Sequence, residues 1–186
     1  MPGRPTRNVV AAVVGAVLAA GVIVGFVRRD EAPGTRVGGA EPSLTGTAPV
    51  ATVSGPDLNG GPPLTVAALR GKPVFINVWA SWCLECRREG ADISRFTKDH
   101  PEVVVLGIDD EARRADGVAF NREVGWTHRS IADGPGTITV DALHVASLPT
   151  TIYVDAKGIE RGRTPGPVSY DMLVTVAERL ASSDRS

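Results

Sequence analysis

The sequence predicts an α/β domain, a sheet with helices on both faces, preceded by an N-terminal transmembrane helix. Three observations predict it. Runs at Pro73–Val78, Val103–Leu106 and Thr150–Val154 have the length and β-branched content of buried strands, the second of them continuously apolar. Helix-period patterns with start and stop signals lie between and after them. Ahead of them, Val9 to Val27 holds no charged or strongly polar side chain. That run is long enough to cross a bilayer as a helix.

Taken in order, residues 1–8 are polar, with Arg4 and Arg7, and Arg28-Arg29 closes the apolar run. No polar face exists within the run, which argues against a buried core helix. A cleaved signal peptide has a shorter apolar region and a small-residue cleavage site. Here the run ends Gly25-Phe26-Val27-Arg28-Arg29, a poor cleavage site, so an uncleaved anchor is favoured over a cleaved signal. Arginine and lysine counts tie at the two ends. The free amino terminus, and Asp30-Glu31 on the far side, put the N-terminus in the cytoplasm and the rest outside it. The organisation expected is therefore a membrane anchor or signal segment at 1–29, a flexible linker at 30–49 rich in Gly, Pro, Thr and Ala, and a folded domain at 50–184.

Within the domain, Ala51-Thr52-Val53 reads as a short edge strand and Gly60-Gly61-Pro62-Pro63 as a turn. Leu64–Leu69 reads as a short helical turn ended by Gly71. The strand at 73–78 follows. A helix then starts after Cys83 and runs to about His100, where Pro101 stops it. Its apolar stripe is Cys86, Ile93 and Phe96. Glu89, three residues after Cys86 and four before Ile93, falls on the same stripe. Arg87, Arg88, Asp92, Arg95 and Lys98 lie off it, as a solvated side would. Gly90 in mid-helix costs about 1 kcal/mol relative to alanine and is a place for a bend.

Glu102–Ile108 is the next strand, and Glu111–Val124 the next helix, ended by Gly125. Thr127–Ile131 reads as a strand. Ile138–Val145 is open between helix and irregular structure. Thr150–Val154, the turn Asp155-Ala156-Lys157-Gly158 and a return strand at Ile159–Arg163 make a hairpin. Ser169 reads as an N-cap with Asp171 in the first turn. Leu173, Val176, Ala177, Leu180 and Ala181 form the apolar face of the last helix.

Composition removes several functions. The net charge of −1 gives no electrostatic basis for nucleic-acid binding. No phosphate-binding glycine loop of Walker type and no internal repeat is present. Two cysteines cannot make a disulfide framework or a four-thiolate zinc site, and His100, His128 and His144 are scattered, so no metal site and no cofactor is expected. The histidines read as surface or packing residues.

What remains is Trp82-Cys83-Leu84-Glu85-Cys86. Two cysteines three apart at a helix start share a face, with Cα atoms roughly 5–6 Å apart, within the span of a disulfide. Unpaired N–H groups at the helix N-terminus favour a thiolate at the first cysteine. The chemistry expected is reversible thiol–disulfide exchange. A permanent staple is the bland alternative. Closing so short a loop restricts the unfolded chain little, and exported chains that need staples use several.

These residues resemble the thioredoxin-like fold, which pairs Trp-Cys-x-x-Cys with a cis-proline ahead of a later strand, here Ser147-Leu148-Pro149-Thr150-Thr151. Leu69-Arg70-Gly71-Lys72-Pro73, Asn77-Val78-Trp79-Ala80-Ser81-Trp82-Cys83 and Glu89 are similar to the TlpA-like, cytochrome c maturation branch of membrane-anchored thiol–disulfide oxidoreductases. The resemblance covers roughly residues 50–182. It implies a mixed sheet, catalytic roles for Cys83, Cys86 and Glu89, and substrate binding by Trp82, Leu148 and Pro149. Cytoplasmic thioredoxins carry an aspartate where this chain has Asn77; in the branch the glutamate at Glu89 is the buried acid/base. The chain departs from the branch at Glu85, where a proline is common and where a negative charge would raise the Cys83 thiol. It departs again at Gly90-Ala91, where relatives have a proline.

The function expected is an extracytoplasmic thiol–disulfide oxidoreductase of the cell membrane. It would reduce disulfides of cysteine-containing exported proteins, apocytochrome c among them, with electrons from a membrane thiol–disulfide donor. The lipid bilayer would be engaged through residues 9–27. A disulfide-forming oxidase is the alternative. A copper-binding thioredoxin-like chaperone is a further one, since thiolates bind Cu(I), but those relatives place three residues between the cysteines and add a distant histidine.

Overall fold

A computed structural model of the chain describes residues 41–50, 52–111 and 113–183. The apolar segment at 9–27, the rest of the anchor expected at 1–29, and residues 30–40 of the linker expected at 30–49 lie outside the described residues. Among the described residues no helix is long and apolar enough to cross a membrane.

The centre is β4 (Val74–Trp79), buried at all six positions. It pairs in parallel with β5 (Val104–Asp109) and antiparallel with β7 (Thr150–Val154). Parallel β6 (Ser130–Ala132) extends one side. Antiparallel β8 (Ile159–Pro165) and β1 (Ala48–Pro49) extend the other, giving the order β1-β8-β7-β4-β5-β6. The sheet is therefore mixed.

Alternation along β4 divides the core. Phe75, Asn77 and Trp79 point to the face covered by α1 (Leu84–Asp99), α2 (Arg114–Val124) and α3 (Tyr170–Ser183). Ile93 and Phe96 of α1, Phe120 of α2 and Leu173, Val176 and Leu180 of α3 pack there. Val74, Ile76 and Val78 point the other way. Among the described residues that face has no α-helix. It is covered by Val66 from a 3-10 helix (Val66–Leu69), by Leu143 and Val145 beyond a π-helix (Thr137–Ala142), and by Val50 and Val53. Helices on both faces thus holds only with these short helices counted, and the undecided 138–145 stretch is π-helical in its first part.

Several boundaries move for identifiable reasons. Of the edge strand expected at 51–53, the described residues Thr52 and Val53 are not in a strand. Val53 N–H closes a turn onto Val50 C=O at 3.1 Å, which puts both valines into the core, and the strand that follows is β2 (Ser54–Gly55), paired with β3 (Leu64–Thr65). Residues 41–49, read as linker, lie along the sheet edge and α3. Gly46 N–H donates to Arg161 C=O at 2.7 Å, and Arg179 donates to Pro42 C=O at 3.1 Å. The second helix starts at Arg114, not Glu111, because Arg113 at its N-cap is in extended backbone, φ −113° and ψ 105°. The strand expected at 127–131 begins only at Ser130, after His128 has turned into the core.

The hairpin is built as expected. Gly158 takes φ 85° and Asp155 Oδ1 accepts the N–H groups of Lys157 and Ile159, both at 2.9 Å. Ser169 Oγ accepts Met172 N–H at 3.3 Å, the N-cap bond of α3. Ala181, placed on the apolar face by the pattern, is exposed, and Met172 takes part in the core instead.

Candidate functional site

The C-terminal end of β4 runs through Ala80-Ser81-Trp82 into α1, and Cys83 is the α1 N-cap. Cys83 and Cys86 are joined as a disulfide, with Cα atoms 5.3 Å apart. Cys83 Sγ accepts the Cys86 N–H at 3.1 Å, so the first sulfur takes up a free donor of the helix end. Both cysteines are nearly covered, whereas Trp82 and Leu84 beside them are 69 % and 59 % exposed. The Leu148-Pro149 peptide is cis. Pro149 precedes β7, whose Thr150 pairs with Val78, so this loop lies at the same end of the sheet as the cysteines. Pro149 is buried and its carbonyl accepts Gly166 N–H at 2.8 Å; Leu148 is half-buried.

Glu89 lies one helical turn beyond Cys86 and is 2 % exposed. Its Oε1 accepts Asn77 Nδ2 at 2.9 Å, and its Oε2 accepts the Val168 N–H at 2.9 Å. Burial pushes its carboxyl up to about 7, against those two hydrogen bonds, which favour the charged form. This combination, a carboxyl protonated or not near neutral pH behind a disulfide, can accept and return one proton. Glu85, the expected source of negative charge at Cys83, is paired with Arg88.

Sequence reasoning missed three groups. Thr151 Oγ1 receives a second bond from the Asn77 amide, at 3.1 Å. Alternation with Phe75 and Trp79 was the available signal that Asn77 faces α1. Asp109, beyond the point where the strand was read to end, is fully buried with neither carboxylate oxygen hydrogen-bonded among the described residues. Burial, with Glu111, Asp110, Asp116 and Asp133 around it, pushes it up to about 7. Glu111 itself is the partner of Ser81; no sequence pattern marks it.

The histidines lie apart from the cysteines in three different settings. His128 is buried against Trp126, with ring centroids 4.8 Å apart, and burial pushes it down to about 4. His100 stacks on Phe96 and His144 is exposed. Among the described residues no group of three or more His, Cys, Asp or Glu is placed to hold a metal ion.

Comparison with known proteins agrees with this geometry. The thiol:disulfide interchange protein DsbE of Pseudomonas fluorescens biotype C is 33 % identical over 114 residues, 61 % of this chain and 62 % of that protein. The chain spans less than two thirds of the length of the curated relatives it matches. A DsbF homologue from Corynebacterium diphtheriae superposes with a TM-score of 0.67 at 25 % identity, over 76 % of this chain and 94 % of that one. A secreted thiol-disulfide isomerase from Corynebacterium glutamicum does so at 0.63 and 25 %, over 70 % and 83 %. The model of the thioredoxin-like domain matches residues 63–181, which takes in both cysteines, Glu89, its partners and the cis-proline, and the chain belongs to that thioredoxin-like family.

Proposed function

We propose that the chain is a thiol–disulfide oxidoreductase in which Cys83 attacks, Cys86 resolves and Glu89 carries the proton. The observation that supports this best is a covered carboxyl, held by two donors, one turn behind a disulfide at a helix N-terminus. With the pair reduced, the Cys83 thiolate attacks a substrate disulfide. One substrate sulfur leaves as thiolate and a mixed disulfide forms. Cys86 then gives its proton to Glu89, directly or through one water, and attacks Cys83 Sγ. The second substrate thiolate leaves, the Cys83–Cys86 bond closes, and two electrons have passed to the substrate. Trp82, Leu148 and Pro149 line the approach and would seat the substrate chain.

The direction is reducing and the substrates are exported proteins with cysteines, apocytochrome c among them. The apolar run at 9–27 anchors the chain in the cell membrane with the domain at 50–184 outside the cytoplasm, where a membrane donor re-reduces it. The names of the relatives, thiol:disulfide interchange proteins, support the activity; the run of uncharged residues supports the anchor.

Two measurements on the full chain test this. Cys86→Ser should accumulate covalent adducts with substrate and Cys83→Ser should not; equal trapping by both would overturn the roles. A reduction potential near or below roughly −200 mV agrees with a reductase, and roughly −120 mV would make it an oxidase.

A further inference from the structure

The turn that delivers Cys83 is held by residues with no part in the exchange above. Ser81, two residues ahead of Cys83, donates its hydroxyl to Glu111 Oε2 at 2.6 Å and its N–H to the same oxygen at 3.3 Å. Its carbonyl accepts Arg87 Nη2 at 3.3 Å. The hydroxyl, N–H and C=O of Ser81 are thus all engaged. The same stretch beyond β5 also holds the residue that ends β4, through Asp110 N–H to Trp79 C=O at 2.9 Å. On the other side Arg87 is paired with Glu123 of α2 and lies over the Phe120 ring, 4.9 Å from its centroid.

A neutral amide could accept the two Ser81 bonds as well as a carboxylate does. A carboxylate adds a negative charge beside the turn on which a thiolate must form. Like charges near each other disfavour both. A less stabilised thiolate makes the disulfide a weaker oxidant. Of the two arginines in the first turn of α1, Arg87 is paired with Glu123 and Arg88 with Glu85.

We propose that Glu111 is a positioning residue for the redox turn: it fixes Ser81 ahead of Cys83, and its charge biases the Cys83–Cys86 pair toward reducing chemistry. This rests on Cys83 being the attacking thiol. The test uses the full chain and three variants. The readouts are the midpoint pH of Cys83 alkylation by iodoacetamide, the equilibrium constant against glutathione, and the rate of mixed-disulfide formation.

Glu111→Gln keeps the acceptor and removes the charge. Its alkylation midpoint should fall and its equilibrium should move on the order of threefold toward the dithiol. Ser81→Ala keeps the charge and loses the hydroxyl bond. It should slow mixed-disulfide formation severalfold with midpoint and equilibrium at wild-type values. Glu111→Asp keeps the charge on a shorter arm and should retain the wild-type midpoint; if Glu111→Gln does not fold, Glu111→Ala takes its place, and a wild-type midpoint there overturns the proposal. Wild-type midpoint and equilibrium in Glu111→Gln would overturn the proposal. So would identical changes in Glu111→Gln and Ser81→Ala, which would mean a purely structural contact, or a shifted midpoint in Glu111→Asp. Failure of the Cys86→Ser variant to trap substrate through Cys83 would be a failure of the roles assigned above, and is read separately.

Discussion

One amide nitrogen, Asn77 Nδ2, donates to Glu89 Oε1 at 2.9 Å and to Thr151 Oγ1 at 3.1 Å. It ties the buried carboxyl of α1 to the strand that begins next to the cis-proline. The bond to Glu89 favours the carboxylate, while burial favours the neutral acid, and burial is the larger effect. Asn77→Leu removes the donor and keeps the branching of the side chain. The Glu89 carboxyl should then move further up from about 7, by about one pH unit or more, since a hydrogen bond to a charged group is worth about 1.5–3 kcal/mol. A carbon-detected NMR titration of the Glu89 carboxyl checks this. A midpoint at or below the wild-type value would show that the amide does not set it.

Replacing the carboxyl itself separates the two chemical steps. Glu89→Gln keeps the shape and one of the two acceptor oxygens that Asn77 Nδ2 and Val168 N–H now use, and removes the titration. Attack by Cys83 should proceed at the wild-type rate. Resolution by Cys86 should slow roughly a hundredfold, the low end of what a positioned acid/base supplies, and should lose its pH dependence near 7. Quenched-flow analysis of the mixed disulfide reads both steps. Wild-type resolution across the whole pH range, or a Glu89 that titrates like a free glutamate near ~4.3, would remove it from the mechanism.

The strands and helices around this site were legible because each has one dominant signal. Val74–Val78 and Thr150–Val154 are short runs dominated by β-branched and aromatic residues, and α1 has a start at Cys83 and a stop at Pro101. Glu89 was legible because helix spacing alone puts it with Cys86 and Ile93. Long-range partners were not. Val168 N–H reaches Glu89 across 79 positions of chain, and Glu111 reaches Ser81 across 30. No local pattern encodes a contact closed by the whole fold. The N-terminal edge was misread for the opposite reason: short segments such as 51–53 have too few residues for period to outweigh where Val50 and Val53 must go.

Gly90 illustrates a residue whose local cost is repaid by a neighbour. Helix propensity alone makes Gly90→Ala stabilising by about 1 kcal/mol. In the fold, a Cβ there would lie 3.2 Å from Val124 Cβ and 3.6 Å from Trp126 Nε1, the group that donates to Gly90 C=O at 3.0 Å. Room for Val124 of α2 and for the Trp126 bond is what the glycine provides. Overpacking of this kind costs about 1–3 kcal/mol, so Gly90→Ala should lose about 1 kcal/mol net in urea unfolding. A variant more stable than wild type would mean Val124 yields freely.

Asp109 should make the protein less stable as pH rises from about 4 toward about 7. It is fully buried and faces Gly117 of α2, where a Cβ would fall on its carboxylate. Its neighbours Glu111, Asp110, Asp116 and Asp133 are all acidic, and the carboxyl is pushed up to about 7 from 3.8. Below about pH 4 the group is protonated whether the chain is folded or not, and nothing is lost. Between about 4 and 7 the unfolded chain has released the proton and the folded chain still holds it. The unfolded state then binds fewer protons, so stability falls with pH by up to ~1.4 kcal/mol per unit, and levels off above about 7. Asp109→Asn keeps the shape and cannot ionise. Its stability relative to wild type should therefore rise from pH 4 to 8, by on the order of 2–4 kcal/mol, while the parallel slope from Glu89 stays in both proteins and cancels. Urea unfolding at half-unit pH steps measures the difference. A constant offset between the two proteins from pH 4 to 8 would mean that Asp109 ionises in the folded chain as freely as in the unfolded one. Gly117→Ala should be destabilised at every pH by about 3 kcal/mol or more, because its methyl group and the Asp109 carboxyl cannot occupy the same space in either protonation state.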